Sequence, residues 1–202
     1  MSPVSAIAPA VLDASAWARD LPCLYPHGLV VAPDSRFFTL EHQRIVGDVT
    51  IGRGCSHYTL RHLRIEQGCL RIEGLNFDGL VQNVWVTHSP GHGIVVGGMQ
   101  PLDNGNAMHF QNVFASFSAW WGWLVMQQTA LLMATCNADQ NGAGGMLFNS
   151  CRGNWLSLSL ESNEGTGAYL YDCSGLMSGH LIVPVPGATP LIIQPERSVH
   201  VL

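Results

Sequence analysis

The sequence contains little charge and no lysine. Of its 202 residues only 11% are charged, and all nine basic residues are arginines. Because an ordinary globular domain is about 25% charged, this surface must consist largely of neutral polar, glycine and aromatic residues. The net charge is −5, without a basic patch. Nucleic-acid binding is therefore excluded, since it requires clustered Lys and Arg side chains that displace counterions.

Three further absences narrow the class of protein. No run of about 18 consecutive apolar residues occurs, so we expect no membrane insertion. The first residues lack the basic n-region of a signal peptide, so we expect no export by that route. The six cysteines form no CxxC pair and have no zinc spacing. We therefore expect no metal and no cofactor, and buried free thiols rather than disulfides.

What the sequence does have is glycine at regular intervals. Eight glycines that precede short apolar runs are separated by 19, 21, 25, 29, 23, 22 and 20 residues: Gly28, Gly47, Gly68, Gly93, Gly122, Gly145, Gly167 and Gly187. Several follow a second strand-like segment, such as LVQNVWVTHS or LSLSLESN. Such a unit, without helical periodicity, is typical of one coil of a β-solenoid. The sequence predicts an all-β, single-stranded parallel β-helix of about seven to eight coils.

The ends of the chain are predicted to differ from the coils. We assign residues 1–27 to a leader and 28–202 to the β-helix domain. Within the leader, residues 13–21 predict a short capping helix with Asp13 as its N-cap. The last residues, PLIIQPERSVHVL, end on an apolar strand without a polar cap. We expect another element to cover this end, because an open parallel coil exposes unpaired backbone.

One segment carries a resemblance to a known family. NVWVTHSPGHGIVV follows the pattern Asn-Val-x-Val … Gly-Ile-x-Val, with looser copies downstream. On this pattern residues 28–195 resemble the right-handed parallel β-helix of the pectin-lyase-like superfamily, which bacteriophage tailspikes and fibres also resemble. Polysaccharide lyases of that superfamily are expected to place calcium-binding acids beside an Arg or Lys base. Arg152, in the middle coils, has no acidic cluster near it in sequence, which disfavours calcium-dependent elimination.

The repeat also predicts which side chains are neighbours. Equivalent residues of successive coils lie about 4.8 Å apart in a parallel solenoid. Aligning the coils on four of the glycines gives an outward column six residues earlier, the acid column: Thr87, Ser116, Asp139 and Glu161. Asp139 and Glu161 are candidate catalytic carboxylates, either near the roughly 5–5.5 Å separation that retaining glycosidases use or further apart, as in inverting ones. The alternative is that they are ordinary surface acids at strand ends.

The turns between strands carry the other candidate residues. Four positions before the same glycines stand Ser89, Ser118, Asn141 and Asn163, which predict a ladder of side-chain hydrogen bonds. Trp120 and Trp121 occupy a bend where other coils carry mostly small residues, so we expect both to project and stack on a sugar ring. The insertion GGMQPLDNGNA (97–107) is predicted to be a loop. We expect its Asp103 and Asn104 to share a carbohydrate-contact surface with the tryptophans.

Two residue pairs have plainer interpretations. His88 and His92 are four residues apart, a spacing that makes a zinc site on a helix. Here the two residues fall on a strand end and a turn, so we do not expect them to bind zinc. Cys151 and Cys173 fall in one column. We expect them to be stacked thiols in the core.

In LSLSLE, the alternation predicts that Leu156, Leu158 and Leu160 point inward.

The apolar runs after the glycines are continuous rather than alternating, as in IVV (94–96) and WLVM (123–126). A continuous apolar strand is buried on both faces. Its outward positions form a stripe, the outer stripe: Val95, Leu124, Leu147 and Tyr169. Monomers rarely leave so long a stripe bare, so we predict a homo-oligomer with coils side by side, most simply a homotrimer. The alternative is a monomer whose insertion or leader covers the stripe.

Three classes of function remain. We favour a structural protein of a bacteriophage virion, a tailspike, fibre or capsid-decorating protein that contacts other virion proteins and host-surface glycans. The second class is a polysaccharide hydrolase or lyase that acts through Asp139 and Glu161. The third is a non-catalytic carbohydrate-binding module that uses Trp120, Trp121 and the insertion at 97–107.

Overall fold

A computed structural model describes residues 23–98, 100, 103–182, 189–194 and 199–202. The predicted capping helix at 13–21 lies outside these residues. The described part of the chain is all-β, with twenty strands and no helix. Consequently no described helix is long and apolar enough to cross a membrane.

The strands are two to eleven residues long, and the chain passes back and forth between two sheets. They are β1 (Cys23–Tyr25), β2 (Leu29–Val31), β3 (Thr39–Val46), β4 (Val49–Ile51), β5 (Ser56–Glu66), β6 (Leu70–Ile72), β7 (Phe77–Thr87), β8 (Ile94–Val96), β9 (Gly105–Asn106), β10 (His109–Ser116), β11 (Trp121–Met126), β12 (Gln128–Thr129), β13 (Leu131–Ala134), β14 (Asn137–Asp139), β15 (Gly144–Asn149), β16 (Arg152–Glu161), β17 (Thr166–Tyr171), β18 (Ser174–Ile182), β19 (Leu191–Gln194) and β20 (Val199–Val201).

The two sheets wind into a parallel β-solenoid of about seven turns. The first sheet stacks β1-β3-β5-β7-β10-β13-β16-β18-β20, with β9, β12 and β14 as short additional strands. The second stacks β2-β4-β6-β8-β11-β15-β17-β19. Each coil contributes one strand to the second sheet and one or more to the first. The predicted all-β parallel solenoid is therefore confirmed.

The register agrees with the alignment on glycines. Ile94 pairs with Trp123, and Trp123 pairs with Met146. Met146 in turn pairs with Ala168. The glycines that precede these four residues therefore lie in one column. This equivalence is what allows side chains from distant parts of the sequence to be assigned to common columns.

Residues with left-handed backbone also form columns, and these bend the strands. One column crosses the middle of the long first-sheet strands, with φ between 52° and 54°: His42, His62, Asn83, Asn112, Thr135 and Ser157. A second follows the ends of those strands, with φ between 54° and 56°: Gln67, His88, Phe117, Gln140 and Ser162. Because L-residues adopt this conformation only as single residues, each one makes a local bend rather than a new element.

The bend at Ser157 corrects one prediction. Leu156 is only half-buried, whereas Trp155 and Leu158 are buried in the core. The left-handed residue interrupts the two-residue alternation of β16, so the inward positions before and after it are three residues apart. The prediction that Leu156 points inward with Leu158 and Leu160 was therefore wrong for Leu156.

The space between the sheets is filled by a continuous apolar core. Its largest fully buried side chains include Trp123, Trp155, Tyr58, Phe110 and Phe148. Phe110 and Trp123 meet edge to face at 5.4 Å between ring centroids, which is a favoured aromatic geometry. This core runs through the stack and makes the coils a rigid support for the side chains outside it.

Five cysteines are buried and free, as the sequence predicted: Cys55, Cys69, Cys136, Cys151 and Cys173. Burial raises the pKa of Cys136 to about 12. A thiol with that pKa stays protonated at neutral pH and is a poor nucleophile. Arg152 pairs with Ser174, which places Cys151 beside Cys173 on the next coil. These thiols serve as small apolar core residues.

Candidate functional site

The acid column exists in the predicted register. Thr87 pairs with Ser116, Ser116 pairs with Asp139, and Asp139 pairs with Glu161. Adjacent parallel strands lie about 4.8 Å apart, so the two acidic residues project from neighbouring strands at that spacing. The alignment therefore brought together two residues that are 22 positions apart in sequence.

The immediate partners of the two acids are neutral. The Ser159 hydroxyl donates to Glu161 Oε1 at 2.7 Å. The Gln140 amide donates to Asp139 Oδ2 at 3.2 Å. Both acidic side chains are half-buried, so each retains contact with water. Chemically, such a pair can accept hydrogen bonds from sugar hydroxyls, and general acid–base catalysis would need one of the two to hold a proton.

Phe117 lies beside the acid column and was not among the site residues predicted from the sequence. Its backbone N–H donates to the Asp139 carbonyl at 3.2 Å, which fixes it next to that residue. Its ring is 45% exposed and stacks on His88 at 5.0 Å between centroids. A signal was available, because Phe117 stands at the turn position that carries Gln, His or Ser in the other coils. A large aromatic residue there has no room in the core.

Trp120 extends this aromatic surface. It is 57% exposed, and its ring meets His92 edge to face at 5.1 Å. Phe117, Trp120, His88 and His92 therefore form one surface, which we call the aromatic edge. Trp121, in contrast, is half-buried and lies over Gly144, where an added methyl group would come within 2.5 Å of its ring. The prediction that both tryptophans project was right for Trp120 and wrong for Trp121.

A buried hydrogen-bond ladder holds the turn that carries the aromatic edge. Ser89, Ser118, Asn141 and Asn163 are all buried, at the predicted positions. Asn141 accepts from the Ser118 backbone N–H at 2.9 Å and donates to Asn163 Oδ1 at 2.9 Å. Asn163 donates to the Ala138 carbonyl at 2.9 Å. Because these bonds run between coils, they fix the turns relative to one another, and the aromatic edge is supported from beneath.

Asp103 anchors the insertion to the solenoid and is not an exposed contact residue. Asp103 is only 4% exposed and forms an ion pair with Arg53. Its Oδ2 accepts the Gln100 N–H at 3.2 Å. A methyl group at Gly98 would collide with this carboxylate, so the insertion can close over it only with glycine there. Asp103 is therefore not at the surface as the predicted contact role requires, because its carboxylate lies beneath the exposed Arg53 side chain with which it pairs.

Asn104 remains exposed at the end of the insertion. In the amide orientation that matches its neighbours, it donates to the Gln127 carbonyl at 2.8 Å. The insertion also borders a polar cleft of about 250 Å³, lined by Arg53, Arg71, Glu73, Gly74, Gly97, Gly98 and Asp103. This cleft lies beside the second sheet. The aromatic edge, in contrast, follows the strands of the first sheet.

The second sheet carries the outer stripe in the predicted register. Val95 pairs with Leu124, Leu124 with Leu147, and Leu147 with Tyr169. The full outer column of this sheet is Val30, Thr50, Arg71, Val95, Leu124, Leu147, Tyr169 and Ile192. Val95 is only 3% exposed, because Cys69, Met126 and Leu124 pack around it. The stripe is thus partly covered within one chain.

The chain folds into a parallel β-solenoid whose surface carries the aromatic edge, the acid pair and a partly exposed apolar face. Among the described residues, no group of three His, Cys, Asp or Glu side chains could hold a metal ion. Comparison with protein-family models, curated proteins and solved structures found no match.

Proposed function

We propose that the protein is a structural β-solenoid of a bacteriophage virion, a homotrimer in which the coils of the three copies lie side by side. The observation that carries this proposal is the outer stripe. Leu124, Leu147 and Tyr169 follow one another on successive coils and remain partly exposed in the single chain. An apolar stripe along a rigid surface favours contact with a second protein surface.

Two other features support an architectural role. The surface carries few charges, which suits extended protein–protein contacts, because charged residues are depleted at the centre of interfaces. The acid pair has neutral partners and stays in contact with water. Neutral partners and contact with water are ordinary for acidic side chains at strand ends, and they suit an architectural role.

Light scattering coupled to size exclusion tests the assembly. We expect a mass three times the 21.9 kDa of the chain. Leu147→Glu places a charge on the outer stripe and should give the monomer. The matched control is Leu132→Glu, because Leu132 is also half-buried on a strand but belongs to the first sheet. We expect this control to remain trimeric. A monodisperse monomer of the unsubstituted chain would contradict the proposal.

A second function, contact with host-surface glycans, is favoured by the aromatic edge. Exposed aromatic rings bind the apolar faces of sugars, and Phe117 lies next to Asp139, whose side chain can accept hydrogen bonds from sugar hydroxyls. The surface would then serve for attachment rather than cleavage.

Incubation with a panel of bacterial capsular polysaccharides and lipopolysaccharides tests this second function. Binding without cleavage that is lost in Trp120→Ala and Phe117→Ala, and retained in Trp121→Ala, supports glycan contact. New reducing ends or unsaturated uronates that disappear in Asp139→Asn and Glu161→Gln would show an enzyme instead. Absence of both binding and cleavage would remove the glycan function and leave the architectural one.

A further inference from the structure

We infer that the copies pack in parallel and in register, and that Arg71 of each copy binds Glu73 of its neighbour. The inference rests on the proposed homo-oligomer and adds the orientation of its subunits and the polar contact that fixes their register. It is drawn from the outer column and the cleft beside it.

Arg71 is the charged residue of the outer column. It pairs with Thr50 on one side and with Val95 on the other, and its side chain is exposed. Arg44, Arg53, Arg61 and Arg64 each form an ion pair with a carboxylate of their own chain. Arg71 forms no ion pair with any described carboxylate. Its charge thus stands beside an apolar stripe with no partner in the described chain.

Glu73 offers a carboxylate on the same coil. It lies two residues after Arg71, and both residues line the cleft of about 250 Å³. Glu73 Oε2 accepts the Arg53 backbone N–H at 3.0 Å. Its other oxygen has no described partner. The two residues therefore present one unpaired positive group and one available acceptor at one height along the stack.

Symmetry makes these two groups complementary between copies. In a cyclic oligomer whose axis runs along the coil stack, every coil meets the equivalent coil of its neighbour. Arg71 of one copy then faces Glu73 of the next at equal height. The outer stripes of the copies meet at the same time, so apolar residues face apolar residues. The Arg71 side chains also come to equal height there, and each is neutralised by the Glu73 carboxylate of its neighbour.

An antiparallel pair fits the outer column less well. Overlap along the whole column would place Arg71 opposite Leu147, and Thr50 opposite Tyr169. A guanidinium buried against leucine without a partner is strongly unfavourable. The charge on one early coil thus distinguishes the two orientations, which the apolar residues alone would not do.

A charge swap tests the contact. Arg71→Glu and Glu73→Arg should each raise the dissociation constant of the oligomer by about tenfold or more, because each places like charges opposite one another. The double variant restores opposite charges and should return close to the value of the unsubstituted chain. A double variant as weak as the single variants, without restoration, would overturn the inference.

Cross-linking tests the orientation independently. In the parallel arrangement, Thr50 side chains of neighbouring copies lie at equal height. Thr50→Cys should give a covalent dimer on a non-reducing gel after oxidation with copper(II)–phenanthroline. Two thiols release two protons and form a disulfide, and two copper(II) complexes each accept one electron. Thr59→Cys, also half-buried but on the first sheet, is the matched control and should not cross-link. The unsubstituted chain shows the background.

The outcomes separate this inference from the function on which it rests. An oligomer that forms, but shows neither restoration in the double variant nor a Thr50→Cys cross-link, overturns the parallel register and leaves the proposed assembly. A cross-link together with restoration supports the inference. A monomeric unsubstituted chain overturns both.

Discussion

At the scale of single residues, Asn141 shows how one buried side chain can connect several coils. Its Oδ1 accepts from Ser118, and its Nδ2 donates both to the Ala115 carbonyl at 3.1 Å and to Asn163 at 2.9 Å. The side chain is fully buried. Because water cannot replace these bonds, the polar groups around Asn141 depend on it.

Asn141→Ala should therefore destabilise the protein by about 2 kcal/mol, since it leaves buried backbone groups without partners. Chemical denaturation followed by intrinsic fluorescence measures the change. Gln140→Ala alters the neighbouring exposed amide and should change the free energy of unfolding by less than about 0.5 kcal/mol. Equal effects of the two substitutions would show that the ladder does not stabilise the turn.

Asp103 and Phe117 show two limits of sequence reasoning at this scale. An aspartate among Pro, Gly and Asn residues predicts an exposed loop, yet Asp103 is buried because Arg53 lies above it. That arginine is 50 residues away in sequence, and no local pattern connects the two. Phe117 shows the reverse error. An aromatic residue beside an apolar strand is ordinarily assigned to the core, yet this ring is exposed.

At the scale of elements, the bends are made by residues that are not glycine. Asn112 donates to Asn83 Oδ1 at 2.6 Å, so these two members of the mid-strand column stabilise each other. Thr135 follows them on the next coil with φ of 53°. A β-branched residue is strained in this conformation, whereas Asn adopts it readily.

Thr135→Asn should stabilise the protein by about 1 kcal/mol, because it removes this strain and can extend the column of amides. The thermal midpoint and the denaturant midpoint should both rise. Thr59 stands in a regular strand position, where Asn is disfavoured, so Thr59→Asn is the control and should destabilise. A loss of stability in Thr135→Asn would argue against strain at this bend.

Most of the strands were predictable, but their bends were not. Continuous apolar runs after glycine, such as IVV at 94–96, identified the second-sheet strands and their register. The left-handed positions could not be read from the sequence, because His, Asn, Thr and Ser occupy one column and no residue type marks it. Leu156 was misassigned for this reason. The acid pair was predicted because the number of residues between Asp139 and Glu161 matches one coil.

At the scale of the whole molecule, two arginine–glutamate ion pairs join neighbouring coils near the start of the described solenoid. Arg44 donates to Glu66 at 2.7 Å, and Arg61 pairs with Glu41. The hydrogen bond from Arg44 lowers the pKa of Glu66, and that from Arg61 lowers the pKa of Glu41, both below the ordinary value of 4.5. In the later coils, the ladder that includes Asn141 and Asn163 and the apolar core connect the strands.

Acid should therefore weaken the first coils. Well above the unfolded-state pKa of 4.5, these carboxylates are ionised in both states, and their ion pairs contribute fully. As the pH falls, the unfolded chain binds protons first, so this contribution decreases and disappears below the folded-state pKa. The thermal midpoint should fall between about pH 5 and 3, and less steeply in Glu66→Gln. Glu164→Gln, at an exposed turn, should keep the steep fall.

The columns of left-handed residues have a consequence for the length of the molecule. They fix the outline of each coil independently of how many coils there are. Each coil adds about 4.8 Å along the stack and repeats the same outline. A chain of this design can grow or shrink by whole repeats while its width, its bends and the direction of its faces stay unchanged. The number of coils therefore sets the length of the molecule, and the aromatic edge lies at a fixed distance along it.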